Sequence, residues 1–209
     1  MKQNVKPHFI TSDWHLFHDN ILKFCDRPFK DMEHMVRVFI NNYNATVPED
    51  GVCYFVGDHG RGFDQIKEVM DQLNGTKVLV LGNHDVNMNA AYRMGFDVVV
   101  NGLILWLANR QVTVTHCPLK DTYREDTSKM SKQYPNWFGE DRKKFQKYII
   151  PNWGQAHLHG HIHSPNKGQS VPELGNQKDI GVDCNNYFPV SFKKLESWVA
   201  KLPKGDENE

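Results

Sequence analysis

The chain has no excess charge of either sign. Its 25 Lys and Arg balance 25 Asp and Glu, so no bulk field argues for a nucleic-acid or anionic-membrane partner, although a local basic patch stays open. It also lacks a long apolar run. No stretch approaches the ~20 residues of a transmembrane helix, and the opening MKQNVKPHF has no apolar segment of the secretory kind. No membrane association is therefore expected. Cysteine is sparse: Cys25, Cys53, Cys117 and Cys184, with no CxxC pair, so a structural zinc site is not expected. We read these four as small core residues of a reduced, cytoplasmic protein. Repeats and low-complexity linkers are missing too. A length of 209 residues suits one domain with a substantial core and is short for two. We expect a single domain over residues 1–204 and a disordered acidic tail, GDENE, over 205–209.

What is plentiful is histidine, with 11 residues, several beside Asp, Asn or Gly. Their placement becomes informative once strands and helices are assigned. Short β-rich runs predict strands at His8–Ser12, Val52–Val56, Lys77–Leu81 and Val112–Thr115, with a late one near Asp179–Val182. Asp97–Val100 and Leu103–Leu107 flank Asn101-Gly102, which predicts a hairpin. Three- and four-residue spacing of Met32, Met35, Val36, Phe39, Ile40 and Tyr43 predicts a helix. Phe63, Ile66, Val69, Met70 and Leu73 predict another, stopped by Asn74-Gly75. A third is expected over Arg142–Ile150, before Pro151, and a fourth after Ser191, burying Leu195, Trp198 and Val199.

Five apolar runs then end in metal-ligand residue types. HFITS leads to Asp13-Trp14-His15, VCYFV to Gly57-Asp58-His59, and KVLVL to Gly82-Asn83-His84-Asp85. VTVT leads to His116, and Ala156–His159 to Gly160-His161-Ile162-His163. One Asp-x-His would carry little weight. Sites in open α/β sheets collect beyond strand C-termini, so five such ends can converge on one point. Imidazole and carboxylate donors without thiolate suit Mn, Fe, Zn or Ni. A carboxylate shared by two ions holds them about 3.5–4 Å apart, as in two-metal hydrolases.

Taken in order, DWH (13–15), GD (57–58), GNHD (82–85), His116 and GHIH (160–163) resemble the motifs of the calcineurin-like metallophosphoesterases. The stretch FITSDWHLFHDNILKFCDRPF, with the later GVD at Gly181–Asp183, is similar to a small bacterial and phage subgroup. The resemblance implies an α/β fold: a two-sheet αββα sandwich with helices on both outer faces and a dinuclear metal site at strand C-terminal ends. It implies two divalent metal ions, Mn2+ first, with Fe, Zn or Ni also compatible. Asp13, His15 and His163 would hold one ion and Asn83, His116 and His161 the other, with Asp58 bridging. The ions would share a water or hydroxide made acidic by two dications. His84 would protonate the leaving group, and Asp85 would orient His84.

Three further residues are candidate substrate contacts, each with an ordinary alternative. His18 follows the first motif in what is otherwise a surface turn. Arg27 suits a phosphate or a salt bridge. His59 stands where many relatives carry an apolar residue; it would touch substrate, support a ligand or face solvent, the last slightly favoured. An insert over 119–153, rich in Lys, Arg and aromatics (Tyr123, Tyr134, Trp137, Phe138, Tyr148, Trp153), would overhang the site, more as an ordinary lid than as a nucleic-acid surface. The expected activity is metal-dependent hydrolysis of a phosphodiester, with a small phosphoester or nucleic acid as substrate. Alternatives are a phosphomonoesterase, a single-strand nuclease and a non-catalytic scaffold, the last disfavoured because all seven ligand positions are intact. Nothing in the sequence points to a particular oligomeric state.

Overall fold

A computed structural model describes residues 6–119, 150–151, 153–164 and 176–203. Two sheets face each other. The first has the order β4-β3-β2-β1-β9, built from β1 (His8–Thr11), β2 (Val52–Val56), β3 (Thr76–Val80), β4 (Val98–Val100) and β9 (Val190–Ser191). Its strands run parallel except β9, which is antiparallel to β1. The second has the order β5-β6-β7-β8, from β5 (Leu103–Leu107), β6 (Arg110–Val114), β7 (Ala156–His159) and β8 (Gln177–Asp179). Here β6, β7 and β8 are parallel and β5 runs against β6.

Alternation along each strand of the first sheet sends residues to two cores. Phe9, Cys53, Phe55, Leu79 and Val99 pack with the helices: α1 (Ile21–Phe24), α2 (Met32–Thr46), α3 (Phe63–Met70) and α4 (Met88–Arg93). Ile10, Val56 and Val80 instead meet Val112, Val114 and Leu158 of the second sheet, joined by Leu195 and Val199 of α5 (Phe192–Val199). Trp14 anchors the helix-side core. It is 2% exposed, sits edge-on to Phe39, Tyr43 and Phe55, and donates its indole N–H to Thr11 Oγ1 at 2.8 Å. Burying Trp14 leaves its neighbours Asp13 and His15 in the motif turn above the strand end. Asp31 caps α2 by accepting from the His34 N–H at 2.8 Å.

Several expectations need correction. Asn101-Gly102 does not close a hairpin: β4 pairs with β3 and β5 with β6, so this turn carries the chain from one sheet to the other. The hairpin lies one strand later, at Ala108-Asn109, whose positive φ values of 50° and 60° match a two-residue primed turn. The helix expected to run on to Leu73 ends at Met70. The late strand is Gln177–Asp179 rather than Asp179–Val182, which leads into a 3-10 turn at Val182–Cys184. His157 and His159 lie on β7, and His161 and His163 follow it with φ of 71° and 47°. Among the described residues, helices pack against one outer face of the pair of sheets. The helix over Arg142–Ile150, all but the ends of the 119–153 insert and the 205–209 tail lie outside the described residues. No helix of the described residues is long and apolar enough to cross a membrane.

Parallel pairing is what builds the site. Because β1, β2 and β3 run one way, their C-terminal ends fall on one edge, and the same holds for β6, β7 and β8. A parallel bridge between Ser12 and Gly181 joins the two edges, supported by Val182 N donating to Ser12 O at 3.1 Å.

Candidate metal centre

Two groups of donors meet where the edges join. Asp13, His15 and His163 form one set and Asp58, His116 and His161 the other, each with ligand atoms within 4.8 Å of one another. Asp58 links them: its Oδ2 lies 3.4 Å from His15 Nε2 and 3.3 Å from His116 Nε2. Within the first set His15 and His163 bring their Nε2 atoms to 3.2 Å. Asn83 extends from the same edge, and both polar atoms of its side chain are buried without a hydrogen-bond partner among the described residues.

The local backbone is unusual. Asp13, His15, Asp58, His161 and His163 all have positive φ, between 47° and 71°, a region that costs an ordinary residue about 1–2 kcal/mol. Hydrogen bonds across motifs hold these turns. His15 N donates to Asp58 O at 2.9 Å and Asp13 N to Gly57 O at 3.2 Å. The His161 N–H points at both Asp13 carboxylate oxygens at 3.0 Å, and His84 N donates to Asp58 Oδ1 at 3.0 Å. Two glycines make the approach possible. A Cβ on Gly57 would collide with the His116 ring, and one on Gly160 with Ser12 Oγ and Asp13 Oδ2.

The ring nitrogens are oriented from behind. His116 Nδ1 donates to Val56 O at 2.8 Å, which turns its Nε2 lone pair toward Asp58. His163 Nδ1 sits 2.7 Å from Asp183 Oδ2, which turns its Nε2 toward His15 and Asp13. Lone pairs facing each other in a dry pocket are unfavourable without a positive charge between them. The titration behaviour follows. Burial lifts the Asp13 carboxyl to about 6, although His163 and His116 pull it down. Burial disfavours charge on Asp58 and His116 alike, yet their pairing overcomes it. Asp58 is held well below the carboxylate range and His116 rises to about 10. The donor set therefore fits divalent cations.

Not every sequence-based role fits the geometry. Asp85 does not hold His84. Its buried carboxylate accepts from Gly82 N (2.7 Å), Asp58 N (3.0 Å) and His59 N (3.0 Å), and pairs with His59 Nδ1 at 2.6 Å. It ties the Gly57–His59 turn to the Gly82–Asp85 turn. His59 accordingly faces neither substrate nor solvent: it is 1% exposed and packs edge-on to Phe96. Arg27 is not placed to take a phosphate either, because its buried guanidinium is engaged with Asp183, Asp13 O and Trp14 O. His18 does stand at the rim, its ring 5.6 Å from that of His15 and 6.3 Å from the exposed Phe24. His84 is exposed, with its ring 5.8 Å from that of His15.

Sequence reasoning passed over two features. Asp183 was visible only as part of GVD, and its contact with His163 could not be anticipated. Cys25, half-buried rather than in the core, lies with His163 and Asp183 in a third group of donors.

Comparison with known proteins bears on the fold more than on the chemistry. No protein-family model matches the chain. An uncharacterized protein of Methanocaldococcus jannaschii is 39% identical over 85 residues, covering 39% of this chain and 48% of the relative; the match spans about half of that relative's length. A solved structure of a protein of unknown function from Aquifex aeolicus superposes with a TM-score of 0.67 at 22% identity, over 93% of this chain and 100% of that one. The two share a mixed α/β fold with paired sheets. A novel archaeal phosphodiesterase also aligns, over 86% of each chain at 16% identity, but its TM-score of 0.39 carries no inference.

Proposed function

We propose that the chain is a metal-dependent phosphoesterase, and more narrowly a phosphodiesterase acting on a nucleotide or nucleic-acid phosphoester. The observation that carries this reading is the sharing of Asp58 Oδ2 between two donor sets, 3.4 Å from His15 and 3.3 Å from His116. One divalent ion would be held by Asp13, His15, His163 and Asp58, the other by Asn83, His116, His161 and Asp58, with Mn2+ ahead of Fe, Zn and Ni. Bound there, the pair would supply an acidified water and neutralise charge on the phosphate oxygens.

The chain's own residues do the rest. Asp58 would set the spacing of the two positions, and its Oδ1 accepts from the His84 backbone N–H. His84, exposed beside His15, would give a proton from its ring to the departing alkoxide. Asp85 acts indirectly, holding the turns that carry Asp58 and His84. His18 and Phe24 extend the mouth past His15, offering contact to a second ester group, which is why a diester is placed ahead of a monoester.

The test is hydrolysis of bis-p-nitrophenyl phosphate and p-nitrophenyl phosphate with added Mn2+, by the wild type, Asp58→Asn and His84→Ala. Diester turnover that needs metal and falls in both variants supports the proposal. Turnover of the monoester alone overturns the diester assignment. No turnover of either by folded, metal-loaded protein overturns the reaction.

A further inference from the structure

We propose that Arg27 and Asp183 are positioning residues for one metal position, that of Asp13, His15 and His163, and that their support makes it the tighter of the two. This rests on the metal-dependent reading above.

The geometry is a clamp with one buried guanidinium at its centre. Arg27 Nε and Nη2 grip the two oxygens of Asp183 at 2.7 and 2.9 Å. Its Nη2 also donates to Asp13 O at 2.7 Å, and Nη1 to Trp14 O at 2.8 Å. Asp183 Oδ2 in turn meets His163 Nδ1 at 2.7 Å. One cation therefore fixes the left-handed turn presenting Asp13 and His15 and, through Asp183, the ring of His163. The ligands joined this way lie 148 residues apart in the chain, so no local turn could set their separation. The guanidinium is fully buried and Asp183 nearly so, so water competes little for these bonds.

The second position is supported differently. His116 rests on a neutral carbonyl, Val56 O, and Asn83 contributes an uncharged amide. The first position has the Asp13 carboxylate, a share of Asp58 and an imidazole backed by a carboxylate, which raises ligand basicity. Charge count and support both favour it. A salt bridge that merely closed the loop would stabilise the fold without distinguishing the two positions.

Mn2+ titration of the metal-stripped protein, read by calorimetry and by the paramagnetic resonance signal of paired ions, separates these cases. His163→Ala and His116→Ala assign the binding phases. The perturbing variants are Asp183→Asn and the double Arg27→Gln/Asp183→Asn, the latter leaving no unpaired charge buried; circular dichroism checks their fold. We expect two phases in the wild type, with the tight one lost in His163→Ala. In both Asp183 variants that phase should weaken by about 10–100-fold while the weaker phase holds. Equal weakening of both phases with the fold intact, or no change in either, overturns the clamp alone. Loss of the tight phase in His116→Ala instead overturns the ordering. A wild type that takes up no Mn2+ overturns the metal reading and the clamp with it.

Discussion

Asp85 sits behind the site and supplies a ligand atom to neither donor set, yet its removal should be among the more damaging substitutions. Its carboxylate satisfies three backbone N–H groups at 2.7–3.0 Å and pairs with His59 Nδ1 at 2.6 Å. The carboxylate is fully buried, so Asp85→Ala strands four donors that water reaches poorly. Each such group costs about 1–3 kcal/mol, and loss of one partner from a buried pair costs about 3–5 kcal/mol in total. We take the latter figure as the expected loss, since neighbouring donors share one relaxation. Asp85→Asn keeps an accepting oxygen and should cost about 1–3 kcal/mol. Against a typical stability of roughly 5–15 kcal/mol, the alanine variant should unfold at visibly lower urea. The assay is equilibrium urea unfolding of metal-free protein followed by circular dichroism. A change within about 0.5 kcal/mol for Asp85→Ala, as at an ordinary surface position, would refute the reasoning, as would asparagine proving worse than alanine.

Other outcomes follow from the same structure. Gly160→Ala should cost about 1–3 kcal/mol by overpacking and weaken Mn2+ binding, because its Cβ would meet Asp13 Oδ2 and Ser12 Oγ; unchanged binding in calorimetry would count against the crowding. Asp13 is lifted to about 6 in the metal-free fold, chiefly by burial, so Mn2+ must expel its proton at lower pH; affinity measured at pH 5 should fall below that at pH 7.5, and a flat profile would contradict this. Asp85 is depressed in the fold because His59 and the Gly82 N–H outweigh its burial. Its stabilising contribution is present above the unfolded carboxylate pKa of about 4 and is lost as pH falls through the lower folded value; the wild-type minus Asp85→Asn stability difference should shrink under acid, and a difference independent of pH would exclude it. His84→Ala should lower kcat while leaving Mn2+ stoichiometry unchanged, and loss of metal instead would reassign His84 as a ligand.

How much could be read without the structure differs between site and fold for a physical reason. Strand ends are local events. An apolar run stops, Gly57, Gly82 or Gly160 permits a tight approach, and Asp or His follows, so the order of DWH, GD, GNHD and GHIH was visible in the one-dimensional pattern. Helix faces such as Met35, Phe39 and Tyr43 were legible through their period. Strand partners were not legible. Asn101-Gly102 has the chemistry of a turn, but which strands flank a turn and then pair is settled by sheet contacts remote in sequence, and here the chain changes sheets.

The same division governs individual side chains. Sequence alone determined that Asp13, His15, Asp58, Asn83, His116, His161 and His163 are ligand types placed just beyond apolar runs, since side-chain chemistry and local spacing travel with the chain. Only the tertiary structure decided what stands behind them. Arg27 and Asp183 meet across 156 residues, and Asp85 turns to His59 rather than His84. These pairings depend on parallel strands bringing distant turns to one edge, and charge complementarity between distant residues leaves no periodic trace in a single sequence.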